Sequence, residues 1–213
     1  MARTYADLVS EAMGATLPDF DTNSYLPRAQ AWVNDGLREI ARRTNIPALD
    51  MIATVALVPG TNAYNLPTDS IRVRSLVDPL YIRELDQIDI GDIDSLVPLG
   101  SEPIYYALFD NQLVLYPTPS SARNLTLRYQ ALPGLLAGTD LQATIPDDYS
   151  HLIVCFVRAR LFRAEDDYEA AGVWLAEFER LLGHLRADLQ RQAPFKVRQI
   201  RGRTGMDVKR RRI

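Results

Sequence analysis

The chain has 213 residues, 47% of them hydrophobic, with 24 Lys and Arg against 27 Asp and Glu and a formal net charge of −3. That is enough apolar material for one domain, or one domain carrying an insertion, with a buried core. A single cysteine, Cys155, leaves no intrachain disulfide, no apolar run approaches the roughly 18 residues of a membrane span, and the N-terminal "MARTYADLVSEAMG" lacks the apolar stretch of a signal peptide, so the expectation is a soluble protein that matures in a reducing compartment.

The first element is a short helix. Between Thr4 and Met13 the apolar residues Tyr5, Leu8, Val9 and Ala12 recur at spacings of three and four. In "TNSYLPRAQAWVNDGLREIARRT" the polar run Thr22, Asn23, Ser24 is expected to cap a second helix, with Pro27 in its first turn. Leu26, Ala29, Trp32, Val33, Leu37 and Ile40 form its apolar stripe, and Asn45 and Pro47 stop it.

From about Leu49 to Leu132 the period becomes two. "MIATVALVPGTNAYNLP" reads as strand, Pro-Gly turn, strand; "SIRVRSLVDPLYIREL" repeats the pattern around Asp78-Pro79; "IYYALFDNQLVLYP" repeats it around Asp110-Asn111, a pair that tolerates the positive φ of a tight hairpin. "RNLTLRYQ" adds a strand with Leu125, Leu127 and Tyr129 on one face. Six or seven short antiparallel strands predict a small sandwich or open barrel.

The helical period then returns. "TIPDDYSHLIVCFVRARLFRAEDD" carries two acids at its N-terminal end, where the helix dipole favours them, and Tyr149, Leu152, Ile153, Phe156, Val157, Leu161 and Ala164 face one way. Asp166 and Asp167 cap a last helix from about Tyr168 to Gln192, whose stripe is Ala171, Trp174, Leu175, Phe178, Leu181, Leu182, Leu185 and Leu189. Amphipathic helices at both ends need partners. The expected fold is therefore α+β: a four-helix bundle from residues 1–48 and 133–194, an inserted antiparallel β-sandwich or barrel at 49–132, and a basic C-terminal arm at 195–213.

That arm is the sharpest feature of the charge pattern. "KVRQIRGRTGMDVKRRRI", residues 196–213, holds Lys196, Arg198, Arg201, Arg203, Lys209, Arg210, Arg211 and Arg212 against Asp207 alone, a local charge of +7. Taking +7 from the chain's −3 leaves residues 1–195 at −10, an acidic body with a basic tail.

Motifs for chemistry are scarce. His151 and His184 stand in separate helices without Cys, Asp or Glu at metal-ligand spacing, and both read as surface or partly buried helix residues. Cys155, among Ile153, Val154, Phe156 and Val157, reads as core. In "ELDQIDIGDIDSL" the acids Asp86, Asp89, Asp92 and Asp94 suggest a cation loop, but the placement of Gly91 does not fit an EF-hand, and a short amphipathic helix with an acidic solvated face fits better. "VPGTNAYN" and "ALPGLLAGTD" do not open helices, so neither makes a phosphate-cradling loop. No enzyme activity, cofactor or metal is expected.

Three stretches in succession carry a resemblance. In "YNLPTDSIRVRSLV" a strand ending Leu-Pro leads through Asp69 to an Arg-rich strand; in "EPIYYALFDNQLVLYPTPSSARNLTLRYQALPGLL" a hairpin ends in a Tyr-Pro-x-Pro turn and a Leu-rich strand follows; "IPDDYSHLIVCFVRARLF" precedes a helix containing "AAGVWLAEFERLL". Together, over roughly residues 22–190, they resemble the head-to-tail adaptor (head–tail connector) proteins of tailed bacteriophages, including the podovirus tail tubular protein A type. The resemblance implies a structural virion protein of the neck, assembled in the host cytoplasm. Twelve copies would form a ring beneath the portal protein that extends the DNA channel and receives the next tail component, a nozzle or tail tube. It also implies that the C-terminal arm, with its eight basic residues, makes the portal contact.

Physical considerations agree. Fully extended, the segment from Phe195 to Ile213 spans up to about 60 Å, Gly202 and Gly205 keep it pliable, and its low apolar content predicts order only on binding. Ring symmetry would multiply a weak contact by avidity. The acidity of the body suggests a lumen that repels DNA, so that DNA passes without specific binding; the acids could instead face outward and keep the subunit soluble. Two other readings of the arm stand beside the tether: a solubilising tail, and a nucleic-acid-binding module in which "KRRRI" neutralises phosphates.

Overall fold

A computed structural model describes residues 3–14, 22–93, 96, 100–142 and 144–192. In chain order the elements are α1 (Tyr5–Met13), α2 (Thr22–Arg43), β1 (Asp50–Leu57), β2 (Ala63–Asn65), β3 (Ser70–Asp78), β4 (Arg83–Glu84), β5 (Asp86–Gln87), α3 (Ile90–Ile93), β6 (Tyr105–Phe109), β7 (Gln112–Tyr116), β8 (Arg123–Ala131), α4 (His151–Ala164) and α5 (Tyr168–Gln192).

The fold is α+β, but the expected four-helix bundle is wrong: the described residues form five helices and two four-stranded sheets. The reason lies in α4. Leu152, Ile153, Val154, Cys155, Phe156 and Val157 are consecutive and all buried, so between the half-exposed His151 and Arg158 this helix has no solvent-facing side. A helix that is apolar all round belongs at the centre of a core rather than at one corner of a bundle. Helices α1, α2 and α5 each pack on α4, and α1 also packs on α2. The short α3 belongs to the β-region and buries none of its residues.

Local chemistry explains the helix ends. Thr4 closes a capping box on α1: its hydroxyl accepts from the Asp7 amide at 3.1 Å, and the Asp7 carboxylate accepts from the Thr4 amide at 2.9 Å. Those bonds hold the Asp7 carboxyl below its ordinary range. Asp167 caps α5 by accepting from the Ala170 amide at 3.0 Å. Helix α2 differs from expectation, because it already begins at Thr22; the polar run lies inside it, and so does Pro27. Its buried face is Ala29, Val33, Leu37, Ile40 and Ala41, with Leu26 exposed. On α5 the stripe is narrower than expected, with Leu175 half-exposed and Phe178, Leu182 and Leu185 fully buried.

The two sheets have strand orders β1-β8-β3-β4 and β2-β7-β6-β5 and enclose one core of Val55, Leu57, Leu76, Leu125 and Leu127 from the first and Tyr106, Leu113 and Leu115 from the second. This is a sandwich. Pairing is antiparallel except between β5 and β6, which run parallel. Asp110 and Asn111 have φ of 46° and 58°, the left-handed pair of a two-residue hairpin joining β6 to β7. The Pro59-Gly60 turn, by contrast, joins no hairpin. Strand β1 pairs along its whole length with β8, from Asp50↔Gln130 to Leu57↔Arg123, while β2 pairs with β7, so this turn carries the chain from one sheet to the other.

The helical core and the sandwich core are distinct clusters joined at the end of α2. Gln130 of β8 is fully buried there; its amide nitrogen donates to the carbonyls of Ala41 at 2.9 Å and Thr44 at 3.0 Å, and its amide oxygen accepts from Arg74 at 2.9 Å. Carbonyls at a helix C-terminus have no partner within the helix. A strand side chain supplies it here, which fixes the sandwich against the helices.

Candidate interaction surfaces

Titratable groups in the helical part serve packing. His151 begins α4 half-exposed, with its Nδ1 3.3 Å from the Glu11 carboxylate and its ring edge-on to Trp174 at 6.5 Å. Arg158 lies over the same Trp174 ring, its guanidinium 4.6 Å from the ring centre, and donates to the Glu11 carbonyl at 2.7 Å. The group ties α1, α4 and α5 together. His184 is exposed on α5. Cys155 is fully buried, and burial pushes its thiol up to about 11, so the reactive thiolate is scarce at neutral pH.

Among the described residues no three His, Cys, Asp or Glu side chains gather to hold a metal ion, and no helix is long and apolar enough to cross a membrane. Asp86, Asp89 and Asp92 are exposed, and the Asp89 carboxylate accepts from the Gly91 amide at 2.9 Å. Asp94 lies outside the described residues. Asp86 sits in β5, and of the expected amphipathic helix the described residues form the turn α3. Other exposed acids crowd the turn between α4 and α5, where Glu165, Asp166, Asp167 and Glu169 follow one another closely.

The eight basic residues of the arm, Lys196, Arg198, Arg201, Arg203, Lys209, Arg210, Arg211 and Arg212, lie outside the described residues; α5 ends at Gln192. The structure instead brings forward a feature that the sequence reading treated only as a turn. Between β3 and β4 the chain passes through Pro79, Leu80, Tyr81 and Ile82, and the last three are 67%, 53% and 92% exposed. Turns are ordinarily built from small polar residues and glycine. Three large apolar side chains in succession at such a tip were the signal in "VDPLYIRE" that turn chemistry alone did not weigh.

The tip is braced from below. Asp78, fully buried, accepts from the Leu80 amide at 3.0 Å, and its other carboxylate oxygen lies 3.0 Å from Nε of Arg123, close enough for an ion pair although off the line of a hydrogen bond. Arg123 is itself almost buried, pairs also with Glu102, and places its guanidinium 5.2 Å from the Tyr81 ring centre. Arg83 donates to the Pro103 carbonyl at 2.8 Å. Ile82 is held at φ 49°, a left-handed conformation that costs a side chain of this kind roughly 1–2 kcal/mol. Strain of this sort persists only where the surroundings over-determine it.

Across the sandwich, where β1 and β2 form the edges of their sheets, an uncharged cleft of about 330 Å³, with Thr54 and Asn65 among its otherwise mostly apolar lining residues, opens between them. Its walls include Ala53, Val55, Tyr64, Leu66 and Leu127. The inward-facing position on β1 is filled by a side chain as small as Ala53, which leaves the space.

A search of curated proteins finds no match. A family model described as SU10 adaptor protein matches residues 3–199, a span that takes in both cores, the Gln130 junction, the tip and, of the arm's basic residues, Lys196 and Arg198. The chain therefore belongs to the SU10 adaptor protein family and is a phage structural adaptor, in agreement with its resemblance to head-to-tail adaptors.

Proposed function

We propose that this adaptor stands as a twelvefold ring beneath the portal protein in the neck of the virion, extends the DNA channel and presents the docking platform for the next tail component. The observation that carries the reading is the family match along residues 3–199, which embraces the whole described body rather than one element of it. The charge distribution supports it. A body at −10 offers duplex DNA a repelling wall, whereas the +7 of residues 196–213 is segregated in an arm that can reach a partner about 60 Å away. On this reading the arm, from Lys196 to Arg212, is the portal tether; acids of the body line the lumen; and DNA passes without specific binding. The protein works by assembly in the host cytoplasm and in the virion, with no catalysis, cofactor or membrane contact. Residues 1–48 and 133–194 form one folding unit and residues 49–132 another.

Co-sedimentation with purified portal tests the tether. The intact chain is expected to dock, with docking weakened as salt screens the arm. A chain lacking residues 196–213 is expected to keep its helix content and to stay free. Docking by the shortened chain at wild-type level would refute the assignment. A steep loss of duplex-DNA affinity with salt, at concentrations where portal is not bound, would favour the nucleic-acid-binding module instead.

A further inference from the structure

We propose that neighbouring copies of this chain join head to tail through the sandwich, with the Leu80–Ile82 tip of one copy seated in the β1–β2 cleft of the next. The inference rests on the ring reading and supplies the contact between copies within it.

Knob and hole lie on opposite edges of the same sandwich. The tip joins β3 to β4, and β4 is one edge of the first sheet; the cleft is framed by β1, the other edge of that sheet, and by β2, the edge of the second. A contact between two different patches on identical chains is heterologous, and repetition of it builds a ring or a filament rather than a closed dimer. The placement of the two features is what such an assembly requires.

Their chemistry matches as well. Leu80, Tyr81 and Ile82 are exposed, uncharged and large, and the cleft is lined by Ala53, Val55, Tyr64, Leu66 and Leu127, also uncharged. On a body at −10 most approaches between copies bring acid against acid; these two surfaces can meet without that repulsion. The cleft, at about 330 Å³, has room for a bulky aliphatic side chain. The strained Ile82 and the buried Asp78–Arg123 pair beneath it hold the knob in one shape before contact, so little ordering is left to the moment of binding. Strand β1 also needs a cover, because an eight-residue free edge invites indiscriminate strand pairing unless something specific occupies its flank.

Disulfide trapping in the full chain tests the contact. Ile82→Cys chains are mixed at high concentration with Asn65→Cys chains, Asn65 being exposed at the rim of the cleft, and oxidised at neutral pH; the native Cys155 is buried and stays out of the reaction. A parallel mixture uses Ala187→Cys on the exposed side of α5 as the control partner. Covalent heterodimers are expected with Asn65→Cys at roughly fivefold or more the yield of the control, and a second change, Leu80→Asp in the Ile82→Cys chain, is expected to abolish the excess. A chain carrying both cysteines should give a ladder of higher oligomers. Equal yields with the two partners, or an excess that survives Leu80→Asp, would overturn the proposal. The assay needs no portal, so failure here beside normal portal docking removes this contact alone, whereas trapping without portal docking removes the proposed docking alone.

Discussion

Replacing Gln130 by Leu keeps most of the side-chain volume and removes the three hydrogen bonds its side chain makes at the junction between the cores, leaving the Arg72–Asn45 hydrogen bond in place. Two carbonyls at the buried end of α2, those of Ala41 and Thr44, lose the amide that now lies at 2.9 and 3.0 Å, and Arg74 loses an acceptor at 2.9 Å. Arg74 keeps the Asp50 carboxylate at 3.0 Å and reaches solvent, so its loss is small. Each buried carbonyl left without a donor costs about 1–3 kcal/mol, so Gln130→Leu should destabilise by about 2–6 kcal/mol, a large share of a typical domain's stability. Urea unfolding followed by two probes reads the effect. The only tryptophans, Trp32 and Trp174, both pack against the helical core, so their fluorescence reports that core while far-UV circular dichroism reports the whole chain. The two curves should coincide in the wild type and separate in the variant. A loss below about 1 kcal/mol with the curves still coincident would refute the reasoning, since it would show that other contacts supply the coupling.

Three further outcomes follow from buried groups. Phe178 is 1% exposed and its ring meets that of Phe156 at a centroid distance of 5.6 Å, so Phe178→Ala should cost about 3–5 kcal/mol in the same urea assay. Asp78→Ala takes from the nearly buried Arg123 one of its two carboxylate partners, leaves it Glu102, and unties the Leu80 amide, and should cost about 1–3 kcal/mol and lower the melting temperature accordingly. Cys155 ionises in the unfolded chain near its ordinary 9.0 but only at about 11 when buried, so the stability due to its neutral form is intact below pH 9 and is lost as pH rises towards 11. The loss amounts to about 3 kcal/mol, and Cys155→Ala should show a correspondingly flatter stability curve above pH 9 by calorimetry.

What the sequence made legible was local. The Asp110-Asn111 pair declared its hairpin because positive φ at two adjacent residues selects those side chains, and Leu125, Leu127 and Tyr129 declared an inward face because strand side chains alternate. Non-local pairing was another matter. Pro59-Gly60 fixes a bend, but nothing in a bend says that β1 will pair with β8, whose residues lie more than sixty positions further on, rather than with its neighbour β2. The bundle failed for a related reason: a one-sided stripe takes in Leu152, Ile153, Phe156 and Val157 of "LIVCFV" and leaves Val154 aside, although six consecutive apolar residues mark a helix segment covered on all sides. Turn chemistry located the Asp78-Pro79 bend and passed over the apolar residues after it, since the exposure of Leu80, Tyr81 and Ile82 depends on the brace that Arg123 provides from a distant strand. The family was legible because its signal is the order of motifs along the chain, which survives errors in how the strands pair.

The most direct test of the account is a cryo-electron density map of intact particles carrying this chain. It should place copies of the α4-centred body in one ring against the portal, with the sandwich of each copy touching the next and the chain beyond Gln192 running towards the portal outside the DNA path. Density for the body anywhere other than between portal and tail, or a lumen lined chiefly by Lys and Arg with the arms hanging into it, would contradict the proposed adaptor role and its electrostatic logic.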